Sequence, residues 1–233
     1  MRLTIITFLI LFSYPSVAQV SFFKNADEFL NENVANGRVD YGRIKSNQDE
    51  LKLLVDQIAA FDLKDQEPQT VKAFLINTYN LLVIKQVVDL YPIPGPLSVP
   101  NFFNGIKHEV GGKKMTLDQL EKGTLLKEFP DARIHFAVVC AAVGCPTIYE
   151  GAFTPENVEN LLTERTRYTL NRNDFIKQTG KKIELSQIFN WYKKDFESKG
   201  SGLIDFINQY RDEPLPIDAK TTFYEYDWTL NDK

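Results

Sequence analysis

The amino-acid sequence predicts an α+β fold, a single compact domain with about seven helices around a small mixed or antiparallel sheet with short hairpins. Three observations lead to this prediction. Helix start signals recur along the chain, and two Gly-containing turns are flanked by short strand-like segments. Strands and helices do not alternate regularly, as they would in a parallel α/β sheet.

The first half of the chain is predicted to be mostly helical. Asn25, Asn47 and Thr116 are each followed three positions later by Glu or Gln, which is typical of a helix N-terminus where two side chains form a capping box. Pro68 favours the first turn of a long helix, and Gly111-Gly112 favours a two-residue hairpin turn. The predicted elements are helices over 25–37, 47–61 and 68–91, a hairpin over 106–115 and a helix from Thr116.

The second half combines short strands and helices. The run from Arg133 to Val139 is apolar and β-branched, which predicts a buried strand. Thr179-Gly180 is typical of a hairpin turn, and the aromatic run from Phe223 to Trp228 is typical of a final strand. The remaining predicted elements are helices over 154–172, 186–197 and 203–211 and hairpin strands over 175–177 and 182–185.

The composition is that of an ordinary globular protein, with 43% hydrophobic and 25% charged residues among 233. The 12 Gly, 11 Pro and 2 Cys residues exclude a collagen-like chain and a disulfide-dense scaffold. The formal net charge is only -4, and no long basic block is present to bind a phosphate backbone. We therefore expect no nucleic-acid partner.

Residues 1–18 predict a secretory signal peptide. Arg2 supplies the charged start, Leu3 to Phe12 the apolar segment, and Ser16 to Ala18 the small-residue cleavage site. The apolar segment is about half as long as the roughly 20 residues that a membrane-spanning helix needs. We therefore expect residues 19–233 to form one secreted or periplasmic domain, with no membrane insertion after the signal is removed.

Asn77 and Asn80 are polar residues on the buried side of the long predicted helix. At 3.6 residues per turn they lie opposite the polar sector, and Asn77 lies between Leu81 and Ile84. A buried amide without a partner costs roughly 1–3 kcal/mol, so two interpretations arise. The amides either tie loop backbone groups to the core, or orient a catalytic group or bind substrate. Glu121, in contrast, is expected to be solvated.

The segment from His135 to Cys145 holds both cysteines and one of the two histidines of the chain. Side chains alternate faces along a strand, so His135 and Cys140 would point to opposite faces unless the strand bulges or ends. In an exported protein the thiols meet an oxidising compartment, which favours a disulfide between Cys140 and Cys145. Closing so short a loop would stabilise the fold by only about 2 kcal/mol.

Three other interpretations of this segment stay open. In the first, one cysteine is a nucleophile, with His135 or His108 as the base and an asparagine as the orienting residue. In the second, His135 and both cysteines ligate zinc, although their spacing is wider than in structural zinc sites and no fourth ligand is evident. In the third, the thiols are buried and inert. We expect no metal and no cofactor.

Several blocks of residues follow one another in an order that is specific to one known family. They are Phe74 to Asn80 with Leu82, Val110-Gly-Gly with Thr116-Leu-Asp and Glu121, His135-Phe with Cys140 and Gly144-Cys-Pro, Leu185-Ser with Ile188-Phe and Trp191-Tyr, and Tyr226 to Asn231. These blocks resemble the DUF547 family, a domain of unknown function, over about residues 39–231. The resemblance implies that Asn77, Asn80, His135, Cys140 and Cys145 occupy family motif positions, but it implies no catalytic role.

Two functions are expected on this basis. The first is a cysteine-dependent hydrolase or transferase acting on an envelope or extracellular substrate, either a small molecule or a peptide. Cys140 is then the nucleophile, because it ends a strand where a turn exposes it, His135 is the base, and Asn77 or Asn80 orients the histidine. The alternative is a non-catalytic binding or structural module, in which a disulfide between Cys140 and Cys145 and the buried amides hold a loop.

Overall fold

The computed structural model describes residues 17–197 and 202–233. The predicted signal peptide lies outside these residues except for Val17 and Ala18, so export stays a prediction.

The helices are α1 Val17–Asn33, α2 Tyr41–Ser46, α3 Asp49–Ala60, α4 Pro68–Leu90, α5 Leu117–Leu120, α6 Leu126–Glu128, α7 Val158–Leu170, α8 Ile188–Trp191, α9 Lys193–Phe196 and α10 Leu203–Asn208. The strands are β1 Val34–Ala35, β2 Arg38–Val39, β3 Lys107–Val110, β4 Lys113–Thr116, β5 Ile176–Thr179, β6 Lys182–Leu185 and β7 Lys220–Phe223. The predicted α+β class is confirmed.

The strands of the described residues form three small sheets rather than one. Strands β1 and β2 form an antiparallel pair, as do β3 and β4. Strand β6 lies between its antiparallel neighbour β5 and its parallel neighbour β7. Most of the buried apolar residues lie in helices, and the strands contribute a smaller share of the core.

Helix α4 is the centre of the domain. Apolar residues lie on all sides of its 23 residues, and even the polar Thr78 and Gln86 are buried. A helix of this kind needs neighbours on every side, and α2, α3, α5 and α7 pack around it. Nowhere in residues 17–197 and 202–233 does a helix combine the length and the apolar character needed to cross a membrane.

The three antiparallel hairpins of the described residues turn on residues with positive φ, including Gly180 with a φ of 59° in the predicted turn between β5 and β6. The predicted Gly111-Gly112 turn between β3 and β4 is confirmed, with φ values of 54° and 73°. The prediction of a helix over 25–37 is wrong at both ends, because α1 already covers Asn25 and stops at Asn33. Asn36 and Gly37 have φ values of 53° and 73° and form a second tight turn, between β1 and β2.

The predicted strand from Arg133 to Val139 is wrong, because residues Ala132–Phe136 form a 3₁₀ helix. Its apolar residues are buried as expected, and a short apolar run fits a buried helix as well as a strand. Two contacts favour the helical turn, one local and one with a distant residue. The Asp131 carboxylate accepts a hydrogen bond from the Arg133 N–H at 3.0 Å. The Asn80 amide bonds to the Ala137 carbonyl and the Val139 N–H, which would otherwise be available to pair with a neighbouring strand.

The last strand and the helix predicted over 186–197 also differ from the prediction. Strand β7 ends at Phe223, so the aromatic residues from Tyr224 to Trp228 follow the strand instead of forming it. The predicted helix over 186–197 is divided at Tyr192 into α8 and α9. Both changes bring aromatic side chains to one face of the domain, where a cavity opens.

Candidate functional site

A cavity of about 340 Å³ lies between α4, α5 and the 3₁₀ helix on one side and α8 and the C-terminal segment on the other. Its size is typical of a site for a small organic ligand. It is lined by Tyr79, Phe103, Asp118, Glu121, Lys122, His135, Val138, Cys140, Cys145, Pro146, Ile188, Trp191, Tyr192, Tyr226 and Trp228. Three of the five residues predicted for the site, His135 and the two cysteines, therefore face the same space.

His135 is held between α9 and the aromatic core. Its side chain is only 2% exposed, and its Nε2 atom lies 2.8 Å from Oδ2 of Asp195. The ring also packs on Tyr192, with centroids 4.1 Å apart. Because Nε2 faces a carboxylate, the imidazole is fixed in orientation. Asp195 was not predicted from the sequence.

Cys140 and Cys145 form the disulfide pair that the sequence favours, with Cα atoms 6.4 Å apart. The Tyr226 hydroxyl lies 3.3 Å from the Cys140 sulfur and 3.1 Å from the Cys145 sulfur. The Cys140 N–H also points to the Cys145 sulfur at 3.0 Å. Cys145 is buried, whereas Cys140 is partly exposed to the cavity.

The loop between the cysteines is fixed by the C-terminal segment. The N–H groups of Val143 and Gly144 each donate at 2.8 Å to carbonyls of Thr229 and Asp227. Gly144 packs so closely that a Cβ atom would lie 2.9 Å from the Asp227 nitrogen. The backbone on both sides of this contact therefore positions the sulfur atoms.

Asn77 and Asn80 face the interior, as predicted, and both bind loop backbone groups. Asn77 donates to the Phe153 carbonyl at 2.6 Å and accepts from the Phe153 N–H at 3.0 Å. Asn80 makes the same pair of bonds, each 2.9 Å long, with the carbonyl of Ala137 and the N–H of Val139. Neither amide lines the cavity. The contacts correspond to the structural interpretation, and Asn80 holds the segment that leads to Cys140.

Glu121 is a buried member of the site, and the expectation that it is solvated is wrong. It is 6% exposed and begins the π-helical turn Glu121–Leu125 that follows α5. Its Oε1 atom accepts a 2.7 Å hydrogen bond from the Tyr192 hydroxyl. A π-turn inserts one residue into a helix and is frequent at functional sites. Here it follows directly on the capping box of Thr116 and Gln119.

The tyrosines of the cavity keep their protons. Burial and then the negative charge of Glu121 raise the pKa of Tyr79 and of Tyr192 well above the ordinary value. Burial, Tyr224 and Glu121 raise the pKa of Tyr226 in the same direction. The three phenols therefore act as neutral hydrogen-bond donors next to one carboxylate.

Aromatic rings form the outer wall of the cavity. The Trp191 ring centroid lies 4.9 Å from that of Tyr226 and 5.7 Å from that of Trp228. Tyr226 and Trp228 are themselves 4.7 Å apart. Trp191 is 48% exposed, so the wall is open to solvent at its edge. Such a wall offers flat apolar surface to a ligand.

The His, Cys, Asp and Glu side chains around the cavity are paired with one another, with tyrosines or with Lys122. In the described ranges 17–197 and 202–233, no three His, Cys, Asp or Glu side chains converge on a common metal position. His135 contacts Asp195, and the cysteine sulfurs contact each other and Tyr226.

Comparison with known proteins gives one match. The family model DUF547, a protein of unknown function, matches residues 63–170. No curated protein and no solved structure matches the chain. The matched region contains Glu121, His135 and both cysteines, whereas Asp195 and the aromatic wall lie beyond it.

Proposed function

Since residues 63–170 of this chain belong to the DUF547 family, which has no assigned function, we propose a function from the site itself. The protein is a redox-gated cysteine hydrolase or acyltransferase that acts on an amide of an extracellular or envelope substrate. One observation carries the proposal: Cys140 lines the same cavity as His135, a buried histidine that is oriented by the Asp195 carboxylate. A thiol, an imidazole and an orienting carboxylate are the groups that thiol-dependent acyl transfer requires.

The disulfide is the resting state in this proposal. An external dithiol donates two electrons and two protons to the bond between Cys140 and Cys145 and is itself oxidised to a disulfide. The chain then holds two thiols, and the Cys140 thiol is the more exposed of the two. The predicted signal peptide supports such a resting state, because an oxidising compartment keeps accessible thiol pairs oxidised.

Acyl transfer then proceeds at Cys140. The thiol gives its proton to His135, through Nδ1 because Nε2 faces Asp195, and the thiolate attacks the amide carbonyl carbon. The C–N bond breaks, a thioester forms, and the leaving amine takes the proton from the imidazolium. Water or a second amine then attacks the thioester, which releases an acid or a new amide and restores the thiol.

The two cysteines have different roles. Cys145 is buried, and its sulfur contacts both the Cys140 N–H and the Tyr226 hydroxyl. Cys140 is partly exposed to the cavity and has fewer polar contacts at its sulfur. Cys140 is therefore the nucleophile, and Cys145 is the resolving cysteine that closes the disulfide.

Alkylation followed by intact-mass measurement tests the proposal. Wild-type protein should take up an alkyl group only after reduction, whereas Cys145→Ser should be alkylated at Cys140 without reductant. Cys140→Ser is the matched control. At about pH 6, well below the ordinary thiol pKa of about 8.5, His135→Ala in the Cys145→Ser background should slow alkylation at least about tenfold.

The other histidine provides the control for that measurement. His108 lies 2.9 Å from Gln86 and does not line the cavity, so His108→Ala should leave the alkylation rate unchanged. Equal rates with and without His135 would refute the proposed acid–base pair. Hydrolysis of peptide and amino-acid amide libraries by the reduced protein, absent in Cys140→Ser, then identifies the substrate.

A non-catalytic binding or structural module is the second candidate. The observation in its favour is that the loop between the cysteines is fixed by backbone bonds to the C-terminal segment and that Tyr226 contacts both sulfurs. In that case reduction lowers the melting temperature, and the freed Cys140 reacts no faster than an ordinary thiol. The pH dependence of alkylation therefore distinguishes the two candidates.

A further inference from the structure

We propose that the cavity binds the ammonium group of an organic amine, which pairs with the Glu121 carboxylate and lies against the aromatic wall of Trp191, Tyr226 and Trp228. The inference deepens the proposed function, on which it rests for taking this cavity as the place of the substrate. It names the substrate class: a small molecule or peptide whose ammonium group is bound at Glu121 while a separate amide of the same molecule is cleaved.

The charges that line the cavity leave one carboxylate without a cation. Lys122 lines the cavity, but its Nζ atom lies 2.8 Å from Oδ1 of Asp118, so these two charges compensate each other. In the described part of the chain, no Lys, Arg or His nitrogen lies within ion-pair distance of Glu121. The hydrogen bond that Glu121 accepts comes from the neutral Tyr192 hydroxyl. Among the residues that line the cavity, Glu121 is therefore the carboxylate that no lysine of the lining compensates.

The burial of Glu121 makes this charge costly. The residue is only 6% exposed, and a carboxylate removed from water needs either a cation or several hydrogen-bond donors. Phenol groups next to Glu121 supply part of that compensation, as the Tyr192 contact and the raised pKa of Tyr79 indicate. A ligand ammonium would supply the remaining part, and its attraction to the carboxylate is stronger in a partly buried cavity than in water.

The aromatic wall favours the same ligand class. The three rings lie 4.7–5.7 Å from one another and form one continuous surface. The faces of Trp and Tyr rings attract cations, by up to about 2 kcal/mol when water is excluded. The wall and the carboxylate therefore both favour a cation, whereas an anionic ligand would be repelled by Glu121.

Ligand titration of the resting, disulfide-containing protein tests the inference without any thiol chemistry. Both tryptophans of the chain, Trp191 and Trp228, line the cavity, so the two indole N–H signals in proton–nitrogen correlation spectra report on this site alone. Phenethylamine should shift these signals saturably. Phenethyl alcohol, its neutral analogue, should bind at least about tenfold more weakly, and phenylacetate should not bind.

A matched pair of variants tests the role of the carboxylate. Glu121→Gln should lower the affinity for phenethylamine about tenfold and leave that for phenethyl alcohol unchanged. Glu109→Gln removes the same charge from the exposed strand β3 and should change neither affinity. The ligand series on wild-type protein decides the question even where Glu121→Gln fails to fold.

Each result counts for or against the inference. Equal binding of the amine and the alcohol by wild-type protein, or an amine preference that persists in folded Glu121→Gln, would overturn it. A failure of the amine-binding inference can be distinguished from a failure of the proposed function. Amine preference with an unreactive Cys140 refutes only the cysteine chemistry, whereas a reactive Cys140 without amine preference refutes only the substrate class.

Discussion

The imidazole of His135 and the carboxylate of Asp195 meet at 2.8 Å across 60 positions of the sequence. The histidine comes from a 3₁₀ helix and the aspartate from the short helix α9. The histidine is buried, while Asp195 is 44% exposed. The contact gives the candidate base a defined orientation, and it is the first relationship to test by mutation.

Asp195→Asn keeps the shape of the partner but removes its charge. In the Cys145→Ser background we expect alkylation of Cys140 at about pH 6 to slow several-fold, because the imidazolium that accompanies the thiolate loses its compensating carboxylate. The measurement is the alkylation rate from intact mass. Asp218→Asn is the control, because Asp218 is exposed and pairs with Lys181 outside the cavity. Equal rates for Asp195→Asn and this control would mean that Asp195 has no role in activating the thiol.

Asn80→Ala removes the amide that makes two hydrogen bonds to a buried backbone segment. The Ala137 carbonyl and the Val139 N–H each lose a 2.9 Å hydrogen bond, and an unsatisfied buried group costs about 1–3 kcal/mol. We expect the free energy of unfolding, measured in urea, to fall by about 2–4 kcal/mol. Asn190→Ala, at an exposed position of α8, should change it by less than about 0.5 kcal/mol. Similar values for the two variants would contradict this account of Asn80.

Gly144→Ala tests the fit of the loop between the cysteines. The new methyl group would lie 2.9 Å from the nitrogen and 3.0 Å from the oxygen of Asp227, which are backbone atoms that cannot turn away. We expect a loss of about 1–3 kcal/mol in the free energy of unfolding. In Gly42→Ala, within α2, the nearest atom is 3.8 Å away, and the change should be neutral or slightly stabilising. A Gly144→Ala protein as stable as wild type would show that the loop has room to move.

The ion pairs of Arg133 should make stability depend on pH. Burial works to raise the pKa of Asp131, but the hydrogen bonds and charge of Arg133 outweigh it and lower that pKa. Burial is likewise outweighed at Glu159 by Lys72 and Arg133. Because both values are lower in the folded than in the unfolded chain, the stabilisation is complete above the ordinary carboxyl pKa of about 4 and disappears as the pH falls through the lowered values.

Arg133→Met tests this dependence by urea unfolding at two pH values. At neutral pH we expect a loss of about 1–3 kcal/mol, mostly from the partly buried pair with Asp131, since Glu159 is 46% exposed and contributes little. Below about pH 3 the difference from wild type should shrink, because the carboxyls become protonated. A difference that is independent of pH would mean that Arg133 acts through packing alone.

The sequence predicts those elements whose signals are local. The capping box of Thr116 and Gln119 and the turn at Gly111-Gly112 were found because each depends on residues at most three positions apart. The interior orientation of Asn77 and Asn80 was found because helical periodicity alone determines it. The pairing of the cysteines was favoured by their spacing and the predicted compartment, although spacing alone did not exclude a nucleophile or a metal site.

The remaining features depend on distant partners. The segment around His135 is apolar and β-branched, but Asn80 takes its backbone groups and Asp131 caps it, so it turns helical. Asp195 lies in the short helix α9, 60 positions after His135, and no local sequence pattern relates two residues at that separation. Glu121 is buried in a π-helical turn, and the helix propensities of the residues do not predict such a turn.

The cavity is built from two stretches of the chain, and only one of them lies in the region that matches the family model. The stretch that matches the family model provides the sulfur atoms, the imidazole and Glu121, while the wall formed by Trp191, Tyr226 and Trp228 lies downstream of it. Tyr226 also contacts both sulfur atoms, so we expect exchanges at Trp191 and Trp228 to alter the shape offered to a ligand with less effect on the disulfide. The shape of the aromatic wall and the charge of Glu121 are thus encoded in separate parts of the polypeptide, so that each can be varied without the other.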